Sequence, residues 1–178
     1  QPVLRRLSLM HSRVFNDMKG LTDSSKSDLG RVLTQGMIDG NGVQEIAKQV
    51  RERVNVSMSR AMRIVRTEIL NSYRTATRTE IDDLNENLYA DSDWEQQMLW
   101  FSALAATTRP WHSSRHGLVY TSKEVKVFYS ERGNSINCLC SQSPVLVNKK
   151  TGEVLQSSLL KRMKEQKEAW KVGMLRSI

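Results

Sequence analysis

The side chains in this sequence most able to do chemistry are two cysteines and two of the three histidines. Cys138 and Cys140 form a Cys-x-Cys pair, and His112 and His116 precede them in the chain. A disulfide between cysteines two residues apart is strained, so a disulfide is disfavoured. Zinc takes four thiolate or imidazole ligands in a tetrahedron, and these residues supply that number. The pattern is compatible with a zinc site that joins two loops, and also with two buried cysteines acting as small apolar side chains.

The same residues allow a catalytic interpretation, which the surrounding sequence disfavours. Either cysteine could be a nucleophile with His112 as its base, or the two histidines could form a nuclease pair. A catalytic constellation needs partner groups, and residues 105–148 contain only Glu124 and Glu131 as acids. We therefore expect a protein that is not an enzyme.

Helical periodicity in the first half of the chain predicts the elements that precede these loops. Apolar residues three or four apart predict a first helix from Val3 through Val14 to Met18, closed by Gly20. The later predicted helices are one between the capping residues 22–25 and the turn at 39–42, a short one over 43–54, and a long one over 57–88.

After Tyr89 the pattern changes to short strands and long loops. The predicted strands are 95–102, an alternating one over Lys123–Tyr129, and a hairpin of 144–148 and 153–155 around the turn 149–152. The stretches 103–122 and 130–143 are expected to be irregular. The spacing of Leu159, Met163, Trp170 and Met174 predicts a final helix.

These elements predict an α+β chain in three parts. The parts are a helical bundle over 1–90 with one long helix, a small strand-and-loop module over 91–155 that carries the His/Cys loops, and a basic C-terminal helical tail over 156–178. Three tryptophans of the second part are either core residues, which we favour, or platforms for stacked bases: Trp94, Trp100 and Trp111.

The charge of the chain is unevenly distributed. The formal net charge is +8, with +4 over residues 1–60, −4 over 61–104, +3 over 105–148 and +5 over 149–178. An excess of this sign favours an anionic partner, with nucleic acid first and an acidic protein surface second, although charged runs often mark a solvated face. The residues expected to face DNA are Lys149, Lys150, Lys161, Arg162, Lys164, Lys167 and Lys171.

The sequence also bears on membrane-spanning and targeting segments. No apolar run approaches the roughly 20 residues of a membrane-spanning helix, so no membrane partner is expected. The start has no signal-peptide core. Since it also lacks Met, we expect the chain to be processed, trimmed or part of something longer.

Two charged residues of the long helix are expected to contact other elements. Arg66 and Glu68 are two apart, so they do not face each other on a helix. They are therefore candidates for tying the long helix to the loop region. Arg74 and Arg78, further along, are interpreted as exposed residues that pair with neighbouring acids.

Taken in order, several motifs resemble those of the phage Mu F-like head morphogenesis proteins, also called minor head proteins. The resemblance covers about residues 30–147. Its most specific parts are the Arg-Thr-Glu and Asn-Cys-x-Cys runs. The motifs are Arg60–Glu68, Trp100, Arg109-Pro110-Trp111-His112 with Gly117, Asn137-Cys138-Leu139-Cys140 and Pro144-Val145.

The resemblance implies a minor structural protein of a tailed-phage head. Such proteins act in procapsid assembly at the portal vertex, inside the head and near the DNA. We expect the helical region 1–90 to dock on the portal and the basic tail to face the packaged DNA. The implied partners are the portal protein, the major capsid or scaffold protein, and double-stranded DNA bound without sequence preference. The implied locations are the virion and, during assembly, the host cytoplasm.

The resemblance also bears on the loops. Some members carry Cys-x-x-Cys where this chain has Arg109 to His112, which supports His112 as a zinc ligand beside the two cysteines. Arg109 cannot be the fourth ligand, and His116 is the nearest substitute. The structural residues of the motif would be Arg66, Glu68 and Arg109. An acid that many members carry is replaced by Ala105, which weakens an enzymatic role.

Overall fold

The computed structural model describes residues 2–13, 15, 16 and 18–176, and confirms the α+β class. Its helices are α1 (Pro2–His11), α2 (Asp23–Ile38), α3 (Val43–Val54), α4 (Met58–Asn87), α5 (Pro110–Ser113), α6 (Ser122–Ser130) and α7 (Ser157–Arg176). Its strands are β1 (Trp94–Phe101), β2 (Val119–Tyr120) and β3 (Ser141–Asn148).

The chain divides into two compact units. The first unit contains residues 1–76 and 133–138, and the second contains 77–132 and 139–178. Helix α4 begins in the first unit and ends in the second. The division into 1–90, 91–155 and 156–178 stays a prediction about domains.

The first unit is built on apolar faces of helices. Thr22 caps α2 by accepting a hydrogen bond from the Ser25 backbone N–H at 3.1 Å. Helix α2 then packs on α3 so closely at Gly36 that a Cβ there would lie 2.6 Å from Ile46 Cγ1. The buried core of this unit is Met10, Phe15, Leu29, Val32, Leu33, Ile46, Ala47, Val50, Val54, Ala61, Ile64, Val65 and Ile69.

The first helix is shorter than predicted, because it ends at His11 rather than continuing to Met18. Tertiary contacts replace the helix there: Phe15 is buried in the core, and the Arg13 Nε donates to a Glu68 carboxylate oxygen at 3.0 Å. Val14, which the periodicity assigned to this helix, lies outside the described residues. Gly20 has a φ of +75°, a conformation suited to glycine, but it does not end a helix.

The second unit contains a three-stranded antiparallel sheet in the order β2-β1-β3. The long pairing of β1 with β3 runs from Trp94 opposite Asn148 to Phe101 opposite Ser141. Helix α7 covers this sheet through Met163, which is buried against Leu99. The predicted turn at 149–152 is present, but 153–155 contributes only a single bridge, Val147 to Val154. The side chain of Met174 lies outside the described residues.

The strand predicted for Lys123–Tyr129 is wrong, because this segment is helix α6. The alternation would put Val125 and Val127 on one face, yet Val125 is buried and Val127 is about half exposed, while Phe128 is buried. A capping box begins the helix: Thr121 accepts from the Glu124 N–H, and the Glu124 carboxylate accepts from the Thr121 N–H.

The stretches expected to be irregular also contain regular structure. Helix α5 and strand β2 lie within 103–122, and β3 begins at Ser141. Among the described residues, every helix lacks the combination of length and apolar character that crossing a bilayer requires.

Candidate metal centre

His112 is presented by a very short helix. Pro110 at the first position of α5 suits the start of a helix, and the Arg109 carbonyl accepts the His112 backbone N–H at 2.9 Å. The imidazole is 1% exposed and meets the Phe128 ring edge to face, with the ring centroids 5.0 Å apart. The ring of His112 is therefore held by packing.

Cys140 lies beside His112, immediately before β3. The Cys140 Sγ is 3.6 Å from the His112 Nδ1 and 3.7 Å from the Ser102 Oγ. Ser102 follows the end of β1, so the pairing of β1 with β3 brings its hydroxyl to the thiol. Sequence spacing gave no signal for Ser102.

Cys138 completes a group of three buried metal-binding side chains. One ligand atom from each of His112, Cys138 and Cys140 lies within 4.8 Å of the others, and both thiols are free of disulfides. Zinc–sulfur bonds of about 2.3 Å and zinc–nitrogen bonds of about 2.0 Å in a tetrahedron place ligand atoms roughly 3.5–3.8 Å apart. The sulfur–nitrogen distance of 3.6 Å agrees with that requirement. The donor set and its burial therefore fit three of the four positions around a tetrahedral zinc ion.

Two side chains of α4 hold the backbone at Asn137 and Cys138 inside the first unit. The Asn137 N–H donates to the Thr67 Oγ1 at 2.9 Å, and the Arg74 Nη2 donates to the Cys138 carbonyl oxygen at 2.7 Å. Arg74 is 4% exposed, so its interpretation as an exposed residue is wrong. Thr67 and Arg74 are seven residues apart, two helical turns, so they share a face of α4. The spacing places both residues on one face, but no signal in the sequence identified their backbone partners.

The three residues of the predicted structural motif have different positions. Glu68 is buried and receives the Arg13 Nε, so it ties α4 to the segment after α1 rather than to the loops. Arg66 is half-buried on α4. Arg109 is the N-cap residue of α5, and its carbonyl accepts the backbone N–H groups of His112 and Ser113. The predicted tie between the helix and the loops is thus made by Thr67, the residue between Arg66 and Glu68.

His116 does not belong to the three-residue group. Its Nδ1 accepts the Ser102 backbone N–H at 3.1 Å, which commits that nitrogen to the protein. Burial and the nearby charge of Lys167 lower the pKa of His116. The neutral ring is therefore favoured in a structural role, and the structure brings together three of the four predicted ligands.

Aromatic rings surround the His112 side of the centre. Trp100 is fully buried and stacks on Tyr129 with centroids 5.3 Å apart, which confirms Trp100 as a core residue. The Arg115 guanidinium lies 4.1 Å from the Phe128 centroid and 5.4 Å from that of Trp100. Trp111, in contrast, is about half exposed, so its favoured assignment to the core is wrong.

The residues predicted to face DNA fall into two groups. Four are engaged within the protein. Lys149 donates to the Tyr89 and Ala90 carbonyls, Lys150 pairs with Asp93, Lys167 donates to the Ser114 carbonyl, and Lys171 pairs with Glu168. The remaining three, exposed on α7, are Lys161, Arg162 and Lys164. The expected basic surface of the tail is therefore centred on α7.

Comparison with known proteins agrees with the motifs. The family model described as "Phage Mu protein F like protein" matches residues 27–143, about two thirds of the chain. No curated protein and no solved structure matches the chain significantly. The match begins in α2 and ends in β3, so it includes the Arg-Thr-Glu segment of α4 and all three side chains of the candidate centre. The chain belongs to the phage Mu F-like family and is a phage head-related protein.

Proposed function

We propose that this protein is a minor head protein that acts in head assembly at the portal vertex, close to packaged DNA, without enzymatic activity. The observation that carries the proposal is the family match across residues 27–143. The virion, and the host cytoplasm during assembly, are the corresponding locations. The portal protein is the first partner, and the major capsid or scaffold protein is the second.

The proposal includes a structural zinc ion held by His112, Cys138 and Cys140. The support is chemical: three buried soft or borderline donors lie within 4.8 Å of one another. When bound, the metal supplies a cross-link between α5 and the Cys-x-Cys segment. The chain prepares the ligands, since ring packing fixes His112 and Arg74 holds the Cys138 backbone.

The zinc proposal is tested by elemental analysis of the full chain purified without chelator. We expect close to one zinc per chain, and loss of the metal in Cys140→Ser and in His112→Gln. His116→Asn is the matched control, because it alters a neighbouring buried histidine outside the group and should retain zinc. Metal-free protein with both thiols open to titration would contradict the proposal.

The portal position is tested by reconstructing the particle with its portal vertex resolved. We expect density for this chain beside the portal ring, and its loss in particles made without the protein. Purified portal should bind the full chain with little dependence on salt, if apolar and shape complementarity dominate the contact. Density confined to the shell away from the portal would contradict the proposal.

Proximity to DNA is supported by the exposed basic residues of α7 and is tested by salt dependence. Each phosphate contact contributes about 0.9 to the slope of log affinity against log salt. Replacing the three exposed basic residues by Gln should reduce the slope by roughly three such increments. The matched control replaces three ion-paired residues of the first unit, Lys26, Lys48 and Arg51. An equal effect of both triple variants would contradict a DNA-facing α7.

A DNA-binding virion module is the alternative function that this basic face favours. It differs from the assembly function in its partner. Tight binding to duplex DNA by the full chain, together with no binding to purified portal, would replace our proposal with this alternative.

A further inference from the structure

The first unit contains a cavity unrelated to the candidate metal centre. Its volume is about 340 Å³, and it lies among the end of α1, helix α2 and helix α3. Cavities of a few hundred Å³ are the size that small organic ligands occupy. The polar side chains that line it are His11, Arg31, Thr34, Gln35, Gln49 and Arg53.

The charges around this cavity favour an anion. Arg31 comes from α2 and Arg53 from α3, and the described lining includes no carboxylate. One Arg31 nitrogen, Nη2, donates to Asp28 at 2.7 Å, and since a guanidinium carries five N–H donors, others stay available. The second nearby acid, Asp39, accepts from the Gln35 amide at 2.7 Å. Both carboxylates are thus already engaged by groups beside the cavity.

An unsatisfied hydroxyl also points to a ligand. The Thr34 Oγ1 is buried and has no hydrogen-bond partner among the described residues. A threonine inside a helix commonly bonds back to a carbonyl in the preceding turn, and Thr34 does not. An unpaired buried hydroxyl carries a desolvation cost, which a bound oxygen atom would remove.

We propose that this cavity binds a phosphate group, either as free phosphate or as a phosphate monoester. Two guanidinium groups on different helices can each offer paired N–H donors to phosphate oxygens. The Thr34 hydroxyl and the Gln49 amide add neutral hydrogen-bond donors to the lining. The cavity is larger than a phosphate ion, so it has room for the organic part of an ester.

The test titrates the full chain with inorganic phosphate and, separately, with adenosine 5′-monophosphate. Calorimetry and NMR shifts of the Arg31, Thr34 and Arg53 amides report the binding. We expect both probes to bind, and a tighter fit for the monophosphate would assign the ester as the ligand, whereas equal affinities would assign free phosphate.

Substitutions of lining residues test whether the probes bind in this cavity. Arg53→Gln should weaken binding about tenfold or more, and Thr34→Val several-fold, as expected for one charge-assisted and one neutral hydrogen bond. Arg51→Gln is the matched control on α3, because Arg51 pairs with Glu52 and does not line the cavity. The three substituted positions lie on the surface or in the cavity lining. An unchanged circular dichroism spectrum will verify that each variant is folded.

Two results would overturn the proposal. One is the absence of binding by either probe at millimolar concentration, with wild-type shifts unchanged. The other is equal binding by wild type and Arg53→Gln. A response to duplex DNA alone, without a response to either small probe, would also contradict a phosphate-sized ligand and assign the surface to DNA.

Discussion

The two units of this protein are stabilised by different kinds of interior. In the first unit, aliphatic side chains from α1–α4 form one core, and the main polar exceptions are single contacts such as Arg13 with Glu68. In the second unit, much of the interior is aromatic or polar: Trp100, Phe128, Ser102, His112 and His116 are all buried. The first interior depends on close packing of helices, whereas the second combines the apolar contacts of its sheet with buried polar groups such as Ser102 and His116.

The difference has a physical origin. The helical faces of the first unit bury a continuous apolar core, and such burial contributes roughly 25 cal/mol per Å². A three-stranded sheet with short helices and long connections has less regular apolar surface. Such a unit gains from a cross-link, as small domains often do with a metal. The comparison predicts that each unit can be weakened by a change that leaves the other nearly intact.

The largest expected effect is loss of the metal. Chelation, or Cys140→Ser, should lower the free energy of unfolding by several kcal/mol, because a structural zinc site contributes to folding directly. Hydrogen exchange should accelerate in β1, α5 and β3 and change little in α2 and α3. Equal acceleration in both units would remove the distinction that we draw.

A matched change in the first unit is Gly36→Ala. The added Cβ would lie 2.6 Å from the buried Ile46 Cγ1, so helices α2 and α3 must separate. Overpacking of this kind costs about 1–3 kcal/mol, less the better helix propensity of Ala. Denaturant unfolding measures the loss.

The control for that change is Gly42→Ala. A Cβ at Gly42 meets nothing within 4 Å, so the free energy of unfolding should fall only by the roughly 0.5 kcal/mol that Ala costs at the N-cap of α3. Similar losses for both substitutions would show that helix packing at Gly36 is not the cause.

Arg74→Met tests the contact that holds the Cys138 backbone. Removing the guanidinium leaves a buried carbonyl without its charged donor, which should cost about 2 kcal/mol. Zinc content should also fall, because Cys138 is then less firmly placed. Arg66→Met, on the same helix but half-buried, should retain both stability and metal. A variant Arg74→Met with full stability and full metal content would contradict the assigned role.

The smallest expected effect is the pH dependence at His116. Because burial lowers the pKa of this group in the folded state, the folded protein favours the neutral ring. Its contribution to stability should be complete above the ordinary histidine pKa of about 6.5 and decline as pH falls below that value toward the folded pKa. NMR titration of the ring should give a pKa below 6.5.

His116→Asn is the corresponding variant. An Asn carbonyl can still accept the Ser102 N–H, yet it does not titrate, so this part of the acid sensitivity should disappear. A His116 ring that titrates at or above 6.5 in the native protein would contradict the assignment of a buried neutral histidine.

The predictability of the fold follows the same contrast between the units. Helices α2, α3 and α4 were predicted with bounds close to the observed ones, because a helix with a long apolar face has a local signal. The end of α1 was missed because Phe15 is buried in the core and Arg13 pairs with Glu68, and neither contact is visible in the local sequence. Helix α6 was mistaken for a strand because a seven-residue alternation also fits a helix whose buried face is Val125, Phe128 and Tyr129.

The candidate centre was predicted in part. Residue type and spacing identified His112, Cys138 and Cys140, since clustered imidazole and thiol groups are typical of a zinc site. Spacing could not reject His116, because only the folded chain places its Nδ1 on the Ser102 N–H. Nor could it find Arg74, which looks like any helical arginine until its carbonyl partner is known.

The sequence alone determined the class of the chain, the helical first part, the uneven charge and the soft ligands in its loops. These properties depend on composition and on short-range periodicity. Tertiary structure decided which ligands meet, which lysines are engaged, and that Thr67 and Arg74 on α4 hold the Asn-Cys backbone. Those outcomes depend on contacts between residues far apart in the chain, and the geometry of such contacts exists only after folding.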